Sequence, residues 1–275
     1  MSQQSTLQNQ LAIASNLMSF QMEPFVTPIS GALADGTAIH VGTGGYIAWH
    51  RKRVLLTNEH VAREVNKHSL ARKCFDSPDY IRINNSFRVQ CAPRDLAVSP
   101  VDDRWNADKH NAMTFPEHRF EKTHAPVQAE YLFIMGFTGE KSHYSASLET
   151  LFTKGTPLLT QEYDEALEPE ETRRPISHPD FDPAFHFAMH WHPEEATSTG
   201  GKASSIPLDP RGMSGSFVWN TRLAEFAKRG ETWTPGVARL TGIVWAWETS
   251  SRFLFATRIE HVTSFLDSID CYLSS

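Results

Sequence analysis

Arg211-Gly212-Met213-Ser214-Gly215-Ser216-Phe217-Val218 sets one serine between two glycines at the mouth of an apolar run. Glycine reaches backbone conformations closed to residues that carry a Cβ. A turn built on Gly212 and Gly215 can aim the N–H groups of Gly212 and Ser214 at one point, as stabilisation of a developing oxyanion requires. Taken alone, the run is equally an ordinary glycine-serine turn that enters a strand. Two segments upstream decide between these readings.

The first is Leu55-Leu56-Thr57-Asn58-Glu59-His60-Val61-Ala62, which places His60 just beyond an apolar strand. Imidazole takes a proton from a hydroxyl and returns it to a leaving group near neutral pH. The second is Pro93-Arg94-Asp95-Leu96-Ala97-Val98, where a carboxylate leads a fully apolar strand. A carboxylate in that setting is partly buried and needs a partner. An imidazole N–H supplies one, and the carboxylate then fixes the ring's tautomer. Asp102 and Asp103 are rivals, but they follow Pro100 in a polar stretch.

These contexts resemble those of the trypsin-like, chymotrypsin-fold serine peptidases. There the histidine follows an "LT-x-x-HV" strand end, the aspartate opens a "DLAV" strand, and the serine lies in "G-x-SGS". The order His60, Asp95, Ser214 is the family's order. Gly42-Thr43-Gly44-Gly45-Tyr46-Ile47 is similar to the hairpin before the histidine strand. Phe133-Ile134-Met135-Gly136-Phe137 is similar to the strand that opens the second barrel, and Gly242-Ile243-Val244-Trp245 to the strand beside bound substrate.

The resemblance implies an all-β fold of two six-stranded antiparallel barrels, with a short N-terminal helix and a C-terminal helix. The implied divisions are an N-terminal helical extension at 1–28, a first barrel with His60 and Asp95 at 29–125, and a second barrel with Ser214 and the closing helix at 126–275. It implies that Ser214 attacks a peptide carbonyl, that His60 serves as base and then acid, and that Asp95 orients His60. Gly212 and Ser214 would form the oxyanion hole. Leu208, Asp209, Trp245, Ala246 and Trp247 would line the substrate pocket. Trp247 stands where many relatives keep glycine, which leans the preference towards a small or apolar residue. An inward-pointing Asp209 would instead select basic ones.

The chain departs from the digestive members, which carry an acid directly before the serine. Met213 occupies that position, and no Ile-Val-Gly-Gly-like start occurs. The pattern is closer to bacterial Deg-type peptidases, with a site that is preformed or controlled by a regulatory protein partner.

Apolar residues make up 40% of the 275, enough for a globular chain with a sizeable core. The net charge of -6 offers no basic excess for phosphates, so nucleic acid is not the expected partner. Met1-Ser2-Gln3-Gln4-Ser5 lacks a basic region, and no long apolar run occurs, so neither a signal peptide nor a membrane span is expected. Three cysteines, Cys74, Cys91 and Cys271, without CxxC spacing suggest reduced thiols in a cytoplasm. Leu7, Leu11, Ile13, Leu17 and Met18 would form the apolar face of the N-terminal helix. Val262, Phe265, Leu266, Ile269 and Leu273 would do so for the C-terminal one.

Other features compete for a role. Glu162, Asp164, Glu165, Glu168, Glu170 and Glu171 read as a solvated surface loop. His186, His190 and His192 fall on one face of a strand. That face suggests zinc, yet His186 and His190 lie about 13 Å apart along an extended chain, too far for one ion. No metal or cofactor is expected. The rival to an enzyme is a catalytically silent trypsin-fold binding or regulatory module.

Overall fold

The computed structural model describes residues 3–106, 109–171, 173–192 and 209–274. Helix α1 (Gln3–Met22) opens the chain and runs through a short turn at Glu23–Phe25 into the first sheet. It buries Ala14, Met18 and Met22, while Leu7, Ile13, Leu17 and Phe20 stay exposed. The expected apolar face is therefore corrected. Positions 14, 18 and 22 recur every four residues on one side, and small Ala14 lets that side approach the body. Ile13 and Leu17 form a second apolar stripe that periodicity alone does not separate from the first.

The first lobe is built from β1 (Val26–Ala32), β2 (Ala38–Trp49), β3 (Lys52–Thr57), β4 (Ser69–Lys73), β5 (Tyr80–Arg82), β6 (Arg88–Gln90), β7 (Leu96–Pro100) and β8 (Phe115–Pro116). The strands run in the order β5-β4-β1-β2-β3-β7-β6, with β8 parallel to β2. Between β3 and β4 lies helix α2 (Glu59–Arg63). The β2–β3 hairpin turns on His50 and Arg51, both at positive φ. That is the backbone twist a two-residue hairpin loop demands.

The second lobe holds β9 (Tyr131–Ser145), β10 (Thr150–Gln161), β11 (His186–His190), β12 (Phe217–Asn220), β13 (Arg239–Glu248) and β14 (Phe253–Arg258). Their order is β10-β9-β12-β13-β14-β11. Helix α3 (Leu223–Arg229) follows β12, and α4 (Ile259–Ser268) follows β14. A bridge between Glu162 and Met189 brings the two ends of this series together.

The expected all-β, two-lobed antiparallel arrangement is present, with two corrections. The first sheet has eight strands, and neither ladder closes into a complete barrel. The extra strands are short: β5 and β6 have three residues each and β8 two, below the length at which alternation registers.

One apolar cluster spans both lobes, joining Ile47, Val54 and Leu56 to Phe133, Phe217 and Ile243. Met18 and Met22 of α1 enter it from one end of the chain, and Phe265 and Leu266 of α4 from the other. Among the described residues, no helix is long and apolar enough to cross a membrane.

Candidate active site

Strand β3 ends at Thr57, and the chain turns through Asn58 into α2, which carries His60 in its first turn. Asn58 is fully buried, and its side-chain amide donates to the Asp95 carbonyl at 2.8 Å. Asp95 sits at the head of β7 with φ 49°, a left-handed conformation that Asp tolerates better than most residues. This pose turns its carboxylate towards α2. Oδ1 accepts the His60 backbone N–H at 3.0 Å, and Oδ2 meets the ring at Nδ1, 2.6 Å away. A carboxylate only accepts, so Nδ1 holds the proton and Nε2 is left bare. Among the described residues Nε2 has no hydrogen-bond partner. The Asp95 side chain is 13% exposed, whereas that of His60 is 44% exposed. The imidazole is thus held from behind and open in front.

The serine loop approaches the same corner. Gly215 has φ 90°, and a Cβ built there would fall 1.9 Å from the Thr43 carbonyl and 2.5 Å from the Thr57 hydroxyl. Only glycine fits on both counts. A Cβ at Gly42 would lie 2.7 Å from Val61 and 3.3 Å from the Ser214 carbonyl, so α2 and the serine loop flank one point of β2. Thr43 N–H donates to the Ser214 carbonyl at 2.8 Å.

The carbonyls beside the serine are tied back. Arg211 O accepts from Gly139 N–H at 2.9 Å, Gly212 O from the Thr43 hydroxyl at 2.8 Å, and Met213 O from Ser216 N–H at 2.9 Å. A trans peptide points its N–H opposite to its carbonyl. The N–H groups of Gly212 and Ser214 consequently face away from these anchors, and neither has an acceptor among the described residues. Met213 is 1% exposed and packs with Leu132, Ile134 and Leu158. Apolar burial, worth about 1.5–3 kcal/mol for such a side chain, anchors the loop where the digestive enzymes use an acid. The Ser214 hydroxyl donates to the Trp245 carbonyl at 3.3 Å and makes no hydrogen bond with His60.

The other expected site residues divide. Trp245 offers its carbonyl to Ser214, but its ring is buried against Phe255, His178 and His186. Ala246 and Trp247 follow it, half-buried, and Trp247 packs on a cluster that contains Trp191, Met213, Val244 and Leu254. Asp209 is engaged with its own loop, accepting Arg211 N–H at 2.9 Å and pairing with its guanidinium. Burial pushes the Asp209 carboxyl up, but the hydrogen bonds and charge of Arg211 outweigh that and hold it below its ordinary value. Leu208 lies outside the described residues.

Three side groups escaped notice in the sequence. Thr43 lay inside a quoted motif without a role. His40, half-buried two residues before Gly42, reaches Phe137 O at 3.0 Å and Gly212 O at 3.3 Å. The Trp245 carbonyl carries no sequence signal, since every residue has one.

The histidine strand is corrected too. Both faces of β11 are buried from His186 to Met189, because the segment holding His178 and Phe181 covers the expected polar face. His186 and His190 engage different partners, Pro93 and Glu168. Among the described residues, no three metal-binding side chains converge. The acidic loop is pinned rather than freely solvated. Glu162 pairs with His124 and Glu168 with His190, each at 3.2 Å, and Tyr163 between them is buried against Phe253. Cys74, Cys91 and Cys271 form no disulfide with one another.

No family model and no curated protein matches the chain. Solved structures do. The active form of the Rv3671c protease from M. tuberculosis matches with a TM-score of 0.51 at 15% identity, over 93% of this chain and 85% of that one. The HtrA-type protease AlgW with tripeptide matches with a TM-score of 0.53 at 12% identity, over 93% of this chain and 63% of that one. At such identities the likeness is one of architecture, and it agrees with the strand order and the two-lobed core: the chain has the trypsin-like, chymotrypsin-type fold.

Proposed function

We propose that this chain is a serine endopeptidase that cleaves peptide bonds through His60, Asp95 and Ser214 and an acyl-enzyme intermediate. The observation that carries the reading is the His60–Asp95 couple, in which the carboxylate grips both the ring and the backbone of the histidine. A structural ion pair needs no such double grip, whereas a general base needs its tautomer and orientation fixed. The acceptor-free N–H groups of Gly212 and Ser214 supply the oxyanion site. Removing one such donor typically costs about 10²–10³ in kcat.

In the reaction, Nε2 of His60 takes the Ser214 hydroxyl proton as Oγ attacks the carbonyl carbon. The tetrahedral oxyanion rests on the two N–H groups. His60 then gives the proton to the leaving amine, and water repeats the sequence to release the acid. The buried Met213 favours a site that stands ready without clipping. Three cysteines without a disulfide fit a reducing, cytoplasmic setting. A protein or peptide is the expected substrate, with small or apolar residues favoured beside Trp247. A regulatory protein partner remains part of the reading.

One observation favours a second reading, a catalytically silent module: the Ser214 hydroxyl rests on the Trp245 carbonyl and not on His60. Fluorophosphonate labelling separates the two. Wild type becomes labelled and Ser214→Ala does not if the peptidase reading holds. Absence of labelling in folded wild type favours the silent module.

A further inference from the structure

The Gly212 carbonyl is held from the other lobe. Thr43 Oγ1 donates to it at 2.8 Å, and His40 Nε2 approaches it at 3.3 Å. Both residues belong to β2, in the first lobe, whereas Gly212 belongs to the second. The same two side chains also grip Phe137 of β9. Thr43 Oγ1 accepts Phe137 N–H at 3.0 Å, and His40 Nε2 lies 3.0 Å from Phe137 O.

These bonds fix the protons. His40 Nε2 faces two carbonyl oxygens, so it must carry the hydrogen, shared between them. Nδ1 is then the bare nitrogen, and it is buried without a partner. Burial also holds His40 below the ordinary histidine value, so the ring stays neutral. The Thr43 hydroxyl gives its one proton to Gly212 O and accepts Phe137 N–H on one of its two lone pairs. Neither side chain has freedom left.

The place they grip matters. β9 pairs with β12 only as far as Met135, opposite Phe217. Beyond that point its edge would lie open. Gly139 N–H fills part of it by donating to Arg211 O at 2.9 Å, and His40 and Thr43 fill the rest at Phe137. Gly212 has φ 99°, and a Cβ there would fall 2.5 Å from His40 Nε2. A glycine has the fewest internal restraints on its own orientation. The Gly212 N–H shares its peptide plane with the Arg211 carbonyl, which Gly139 holds, whereas the Gly212 carbonyl belongs to the next peptide; bonds on both planes are needed to keep either from turning about the glycine Cα.

We propose that His40 and Thr43 are positioning residues: they hold the Gly212 carbonyl between the lobes and, with Gly139 holding the Arg211 carbonyl, lock both peptides that meet at the Gly212 Cα, so that the Gly212 N–H stays aimed at the oxyanion. This extends the serine-peptidase reading and rests on it for the kinetic readout. Neither residue touches the reacting atoms. Both act through Gly212, and their loss should appear in the transition state and not in substrate binding.

The test compares Thr43→Val, Thr43→Ser and His40→Phe with wild type on a peptide ester, together with affinity for a peptide aldehyde whose adduct places an oxyanion in the same site. Thr43→Val is expected to lower kcat by about 30–300-fold with KM within about threefold, and to weaken the aldehyde in parallel. Thr43→Ser, which keeps the hydroxyl, is expected to restore kcat to within about fivefold. His40→Phe is expected to lower kcat in the same pattern by a smaller factor. Wild-type kcat in Thr43→Val, or equal losses in Val and Ser, overturns the proposal. If folded wild type neither hydrolyses the ester nor takes a fluorophosphonate, it is the peptidase reading that fails. The positioning claim is then judged by crystal structures of wild type and Thr43→Val: an Arg211–Gly212 peptide turned in the variant supports it, and an unmoved one overturns it.

Discussion

The imidazole of His186 spans the two lobes, its Nε2 lying 2.6 Å from the carbonyl of Pro93, two residues ahead of Asp95. Asp182 N–H donates to Nδ1 of the same ring at 3.0 Å, so Nε2 holds the proton and donates it to Pro93. One residue on, Thr257 Oγ1 donates to Arg94 O at 2.9 Å. The turn that delivers the carboxylate to His60 is thus braced by the opposite lobe.

Replacing His186 with phenylalanine keeps the ring against Trp245 but strips both hydrogen bonds. Each buried group left unpaired costs about 1–3 kcal/mol. The expected outcome is a lower urea midpoint together with a loss in kcat/KM, because the Asp95 turn loses its brace. An unchanged midpoint and unchanged kinetics would show the bond to be idle.

Asp95→Asn preserves shape but not polarity. An amide can offer its N–H₂ to Nδ1, which drives the ring proton to Nε2 and removes the base. On the triad reading, kcat is expected to fall about 10⁴-fold, as in the same change in other such triads. Stopped or steady-state ester hydrolysis measures it. A loss under tenfold would remove Asp95 from the mechanism.

Three histidines, one buried and two half-buried, share one pH signature. Burial is the largest influence on each of His40, His186 and His190, and each is held below its ordinary value. An unfolded histidine titrates near about 6.5, so below that pH the unfolded chain binds more protons than the folded one. Stability is full above this value and is lost as pH falls from it through the lower folded values. Urea unfolding should give a flat midpoint from pH 7 to 8 and a falling one from pH 6.5 to 5. A midpoint that rises on acidification would contradict this sign.

Trp247 packs over Trp191, Met213, Val244 and Leu254, in an apolar wall. Trp247→Gly is expected to shift cleavage from small towards larger apolar residues in a peptide-library profile. Because Asp209 is already paired with Arg211, Asp209→Ala should leave that profile unchanged. A strict Arg or Lys preference in wild type, abolished by Asp209→Ala, would reverse both statements.

The sequence was most legible where local chemistry and chain order agree. His60 and Asp95 each border an apolar strand, and the strands on either side fix where they meet. Gly212 and Gly215 were readable because their positive φ leaves few alternatives to glycine. The roles of His40 and Thr43 were not, since they depend on a contact between strands 97 and 169 residues from their partners. β10 was also missed: its lysine, proline and threonines alternate poorly, yet it pairs with β9 over its length. The acidic loop misled for the opposite reason. Charge pattern describes the many exposed carboxylates, while one buried ring, Tyr163, sets the loop's position.

The cluster that unites Met18 and Met22 with Phe265, Leu266 and Leu273 also holds Phe217, three residues after Ser214. The serine loop therefore leans on a packing unit that includes both the first helix and the last turns of the chain. During synthesis that unit stays incomplete until α4 has left the ribosome. On the peptidase reading, a chain still lacking α4 would carry His60, Asp95 and Ser214 without the packing that arranges them.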